Sequence, residues 1–174
     1  MDERHRESFE QVVLPHLDAA YSVARYLVRD DHAAEDVVQE AFLRAIRHFD
    51  GYRGENARAW LLTIVRNCCA TYIAKARAEQ THAEFDEREH SGTEEDSTPE
   101  LFLVRSGRED ALRRALDALP ADAREMVILR DVQDLSYKEI ALVAGIPIGT
   151  VMSRLARARK RLRDALREEL RDAG

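Results

Sequence analysis

"LSYKEIALVAGIPIGTVMSRLARARKRL", residues 135–162, holds both ends of one short helix and the start of a longer one. Ser136 followed three positions later by Glu139 is a capping box, in which each side chain satisfies a backbone donor left open at the helix start. Leu135 before the cap and Ile140 inside the helix fit the hydrophobic staple that accompanies such a box. Gly145 suits the left-handed conformation that closes a helix, and Pro147 suits the opening of the next. A two-turn helix, a turn of about three residues and a longer helix make a helix-turn-helix pattern. On the second helix, Val151, Leu155, Ala158 and Leu162 form an apolar stripe at helical spacing. Thr150, Ser153, Arg154, Arg157 and Arg161 fall largely off that stripe, where a helix lying in a major groove meets base edges and phosphates. Arg163 and Arg167 sit nearer the carboxyl end, where the helix dipole favours cations whatever the function.

Working outward, "ALRRALDALP" (residues 111–120) places Ala111, Leu112, Ala115, Leu116 and Leu119 at helical spacing. Pro120 then suits the first turn of a helix whose Met126, Val127 and Leu129 supply core. The chain as a whole has only four prolines and seven glycines in 174 residues, and 45% of it is hydrophobic. That composition predicts an all-α protein with real cores. Charge divides it further. The formal net charge of -6 resides in residues 81–106, since residues 1–80 carry -2 and residues 107–174 carry +2. The acidic segment has no apolar periodicity and contains Ser, Thr, Gly and Pro, so it reads as a flexible linker. Two small helical domains, 1–80 and 107–174, joined by an acidic linker at 81–106, is the organisation expected.

In the first domain, Phe9, Val13, Leu17, Ala20, Ala24 and Leu27 mark one face of a helix over residues 9–29, bent at Pro15. A second helix, with Asp31 as its cap, buries Val37, Val38, Ala41, Phe42, Ala45 and Ile46. Its outer face carries Asp36, Gln39, Glu40 and Arg44, either as a solvated face with an i,i+4 ion pair or as a docking surface. A third helix has Leu61, Val65, Cys68, Cys69 and Tyr72 on its apolar side, which makes the two cysteines buried small hydrophobes rather than redox or metal groups. Tyr52, Arg53, Asn56, Trp60 and Asn67 supply stacking planes, a cation and amides, the toolkit for holding unstacked bases. Trp60 fits a core role equally well.

Taken together, the two halves resemble a known family. "AEDVVQEAFLRAIRHFDGYRGENARAWLLTIVRN" (residues 34–67) resembles region 2 of bacterial sigma factors, and residues 116–162 resemble their region 4. With only an acidic linker between them, the chain is similar to the extracytoplasmic-function type. The resemblance implies a promoter-specificity subunit that binds the core of bacterial RNA polymerase and promoter DNA, with an anti-sigma factor as a further partner. It assigns Asp36, Gln39 and Glu40 to polymerase docking. It assigns Tyr52, Arg53, Asn56, Trp60 and Asn67 to melting and base capture at the minus-ten element. Thr150, Ser153, Arg154, Arg157 and Arg161 fall to the minus-thirty-five element, and the linker to a polymerase channel where its acid mimics RNA phosphates. Thr71 and Ala74 stand where the family often has Asp and Arg, leaving Lys75 and Arg77 to face phosphates. Met152 replaces a common basic residue and Ala156 a larger one.

The alternative is a stand-alone helix-turn-helix regulator of duplex DNA, with residues 1–80 for dimerisation or sensing. An enzyme is not expected, because the sequence has no phosphate-binding glycine loop, nucleophile elbow or metal-ligand spacing. No cofactor is called for. No apolar run approaches the roughly 18 residues that span a bilayer, so a soluble cytoplasmic protein without membrane insertion is expected.

Overall fold

The computed structural model describes residues 3–86 and 107–172. Every regular element among them is helical. The amino-terminal part comprises α1 (Glu3–Val13), a 3-10 turn (Leu14–His16), α2 (Leu17–Val28), α3 (Asp31–His48), a second 3-10 turn (Phe49–Gly51) and α4 (Ala57–Asp86). The carboxy-terminal part comprises α5 (Gly107–Asp117), α6 (Ala121–Val127), a π-helical turn (Ile128–Val132), α7 (Tyr137–Ala144) and α8 (Ile148–Asp172).

Several local expectations shift by a turn or a residue. The helix foreseen across Pro15 is two helices, since proline has no N–H to donate and its ring crowds the preceding turn. Asp30, rather than Asp31, caps α3 by accepting the Ala33 N–H at 2.7 Å. Asp31 instead accepts from Arg25 at 2.9 Å. α4 continues through the start of the presumed linker to Asp86; the remainder of that linker, residues 87–106, lies outside the described residues. The capping box of α7 is complete, with the Glu139 N–H donating to Ser136 Oγ at 3.2 Å and the Ser136 N–H to Glu139 Oε2 at 2.7 Å. Gly145 closes α7 at φ 66°.

Apolar packing follows the stripes. Phe9, Val13, Ala20, Val23 and Ala24 meet Val37, Val38, Ala41 and Ala45 of α3 and Leu61, Leu62, Val65, Cys68 and Cys69 of α4. In the other half, Leu116, Leu119, Met126, Val127, Leu129, Leu135 and Ile140 close on Val151, Leu155 and Ala158. Leu17, Tyr72 and Leu112, expected inside, are exposed. Tyr72 lies on the stretch of α4 after Cys69, from which no described side chain is buried.

The two halves share one continuous core, and α4 is the common wall, with α2 and α3 on one side and α7 on another. Polar contacts clasp the seam. Arg66 Nε donates to Glu125 at 2.6 Å, Arg58 to Gln133 at 2.9 Å, Asn56 to Glu139 at 2.6 Å and Arg29 to the Asp117 carbonyl at 3.2 Å. Arg124, buried, donates to the carbonyls of Leu116 and Leu119 in its own half.

Candidate nucleic-acid interface

The loop into α4 builds a cavity from an aromatic ladder. Phe9 meets Phe49 edge-on at 5.3 Å between ring centroids. Phe49 stacks on Tyr52 at 5.8 Å, and Tyr52 meets Trp60 at 5.2 Å. The inner rungs are buried and the outer two half-exposed, so the core rigidly positions an apolar shelf that reaches solvent. Gly54, at φ 83°, supplies the left-handed turn that brings the loop back onto α4. The open cavity, of about 420 Å³, is lined by Tyr52, Arg53, Asn56, Trp60 and Ile64, with Leu142 of α7 on its rim. Four of the five residues expected to hold unstacked bases therefore converge. Asn67 is exposed on α4, about 10 Å along the helix from Trp60, and does not line this cavity.

Asn56 is placed in the cavity wall but is already engaged. Its side-chain carbonyl accepts the Ala59 N–H at 3.0 Å, capping α4, while its amino group donates to Glu139. Glu139 thus serves its own helix through one oxygen and the other half of the molecule through the second. The Ser136 backbone N–H, then the Asn56 amide, hold its carboxyl below the usual carboxylate range, with partial burial opposing. Sequence reasoning missed Glu139 and Leu142 here because their partners lie far away in the chain.

On α3, Asp36 and Gln39 are exposed and Glu40 half-exposed, opposite the buried Val37, Val38 and Ala41. Arg44 Nε donates to Glu40 at 2.6 Å. Leu43, 49% exposed, extends this face. Its place four residues after Gln39 and off the apolar stripe is legible in the sequence.

On α8, Ser153, Arg157 and Arg161 are exposed in one row at four-residue spacing, and Thr150 is half-exposed. Ser153 Oγ donates to the Thr150 carbonyl at 3.1 Å. Arg159 is tied to Asp131. Arg154 turns away from this row and lines a groove with Arg66, Ile73, Arg77 and Glu125 between α4 and α6. Among the described residues there is no group of His, Cys, Asp and Glu that could hold a metal ion, and no single helix long and apolar enough to cross a membrane.

This architecture has close counterparts. Residues 12–79 match the family described as Sigma-70 region 2, and residues 109–162 match Sigma-70, region 4. The RNA polymerase sigma-H factor of Pseudomonas aeruginosa is 34% identical over 97% of this chain and 91% of its own length. The ECF RNA polymerase sigma-E factor of Escherichia coli K12 is 35% identical over 79% of this chain and 75% of its own. The ECF sigma factor SigE of Mycolicibacterium smegmatis is 34% identical, but the chain spans only 64% of its length. Among solved structures, the sigma factor RpoE of Bartonella quintana, crystallised with the anti-sigma factor NepR, superposes with a TM-score of 0.72 at 31% identity, covering 92% of this chain and 98% of that one. CnrH, solved with the cytosolic domain of CnrY, shares the fold at TM-score 0.66 and 24% identity, covering 94% of this chain and 90% of that one. The chain belongs to the sigma-70 family of bacterial sigma factors, in its extracytoplasmic-function group.

Proposed function

We propose that the protein binds the core of bacterial RNA polymerase in the cytoplasm and, without catalytic activity of its own, directs initiation from promoters of defined sequence. The observation that carries this is one chain holding both a base-sized aromatic cavity on region 2 and a capped helix-turn-helix on region 4. The outward row Asp36, Gln39 and Glu40 is the polymerase-docking face. Tyr52 and Trp60 offer a stacking shelf for a base extruded from the minus-ten element, offsetting the few kcal/mol of lost stacking. Arg53 faces its phosphate, and Asn67 meets the strand further along α4. Asn56 has a different task while Glu139 holds it, and becomes available to a base only when α7 withdraws.

Ser153, Arg157 and Arg161 present acceptor and cationic groups to a minus-thirty-five duplex, with Thr150 at the helix start. Arg154 joins them only after the groove beside α4 opens. The anti-sigma factor NepR, crystallised with the RpoE of Bartonella quintana, makes a regulator of that kind the expected third partner. Run-off transcription with purified core polymerase on a promoter library tests the proposal: specific transcripts that require this chain are expected. A footprint on duplex DNA that is the same with and without core would instead favour the stand-alone regulator.

A further inference from the structure

Resting on the reading of α8 as the duplex-contacting helix, we infer that Met152 is a specificity-determining residue that reads the C5-methyl group of a thymine in the minus-thirty-five element.

Solitary exposed apolar side chains are ordinary. The position of this one is not, because Met152 belongs to a row. Ile148, Met152 and Ala156 follow one another at four-residue spacing on the first turns of α8, and all three are exposed, Met152 at 53% and Ile148 at 41%. The row runs beside Ser153, Arg157 and Arg161. It is confined to the amino-terminal turns, since every exposed position from Arg157 to Glu168 is charged. The fold does not use it either: the face of α8 turned to the core is Val151, Leu155 and Ala158. The amino-terminal turns of a helix-turn-helix recognition helix are the ones that reach base edges.

The occupant follows from chemistry. A methionine side chain is apolar, adaptable in shape and offers no hydrogen-bond donor. Of the groups displayed in the major groove, the thymine methyl is the one bulky apolar group, beside the small C5–H of cytosine; the donors and acceptors would lose hydration against a thioether. The flanking groups favour the same base pair. Ser153 has its hydroxyl proton engaged by the Thr150 carbonyl, which leaves oxygen lone pairs to accept from an adenine amino group. Lys160 continues the apolar row and Arg161 the polar one, placing cations where phosphates flank the contacted bases.

The test uses holoenzyme assembled from the full chain and core polymerase. The preferred minus-thirty-five sequence is selected from a randomised duplex library, and each thymine in it is then replaced singly by deoxyuridine. Removing one buried methyl should lower affinity about 3- to 5-fold at one or two positions. That sensitivity should vanish in Met152→Ala and persist in Met152→Leu. Because Met152 is exposed, neither variant threatens the fold. Wild-type binding that tolerates deoxyuridine at every position, while Arg157→Ala still relaxes sequence preference, would overturn the inference and leave the reading of α8 standing. Tolerance to deoxyuridine together with no effect of Arg157→Ala would overturn both.

Discussion

Both polar atoms of the Asn56 side chain are occupied before any ligand arrives, one by the backbone of α4 and one by Glu139. The Glu139 carboxylate therefore joins a helix cap to the seam between the two halves. A group whose pKa is depressed by folding contributes stability above its unfolded value, and that contribution fades as pH falls through the folded value. Glu139 is such a group, so the clasp should hold at neutral pH and loosen in acid below the usual carboxylate range. The protection factor of the Ser136 amide measured across that range should fall on acidification in the wild type and change little in Glu139→Gln. Ser136→Ala removes the reciprocal half of the cap and should cost about 1 kcal/mol in urea denaturation. Cys69 offers a separate check. Burial, with the neighbouring Cys68 and Glu125, pushes its thiol up to about 12, and burial raises Cys68 as well. Thiol reagents should spare both in the folded protein and react after denaturation. Replacing both with alanine should cost about 1 kcal/mol in stability and leave transcription no less sensitive to mild oxidant. An oxidant that silences the wild type and spares the double variant would refute this.

Individual helices announce themselves as far as their signals are local. The box Ser136–Glu139, the left-handed Gly145 and the stripe Val151, Leu155 and Ala158 each depend on residues a few positions apart, and each stands in the structure as read. Contacts across the seam depend on partners far away, 59 residues for Arg66 with Glu125 and 83 for Asn56 with Glu139, and no periodicity encodes them. For that reason the aromatic members of the cavity were legible, while Leu142 on its rim and the altered duty of Arg154 were not. Two elements then make separable predictions. On α3, Asp36→Lys with Glu40→Lys should abolish binding to core polymerase with little change in melting, since Asp36 is exposed and the Glu40–Arg44 pair is a solvent-screened i,i+4 contact. Undiminished affinity for core in a titration would remove α3 from the docking role. On α8, Arg161→Ala should weaken all promoters alike and flatten the salt dependence, because fewer counterions are released. Arg157→Ala should cost about 1–3 kcal/mol and relax preference at particular bases. Both variants should still open a template whose minus-ten segment is already mismatched.

The whole molecule, as folded, is too small for its proposed task. A compact chain of this length has a radius of gyration of about 16 Å, hence a diameter of about 40 Å. Two promoter elements about 25 base pairs apart are separated by roughly 85 Å of straight duplex, taking ~3.4 Å per pair. The cavity on α4 and the row on α8 cannot reach both while Leu142 borders the first and Arg154 lies against α4. For the proposed contacts with both elements, the seam between the halves would have to part. Several charged and amide contacts clasp it beside the shared apolar core, and those polar contacts are ones that water or a competing polymerase surface can replace. Arg66 and Glu125 are the pair to test, because their bond is short and joins α4 to α6. Arg66→Glu sets two carboxylates together, a repulsion that separation of the halves relieves. Small-angle scattering should then show a larger radius of gyration, and stopped-flow binding should show faster association with core polymerase. Adding Glu125→Arg restores opposite charges in reversed order and should return both readings toward the wild type. An unchanged radius and association rate in Arg66→Glu would mean that the halves already part freely in solution and that this clasp sets no barrier to assembly.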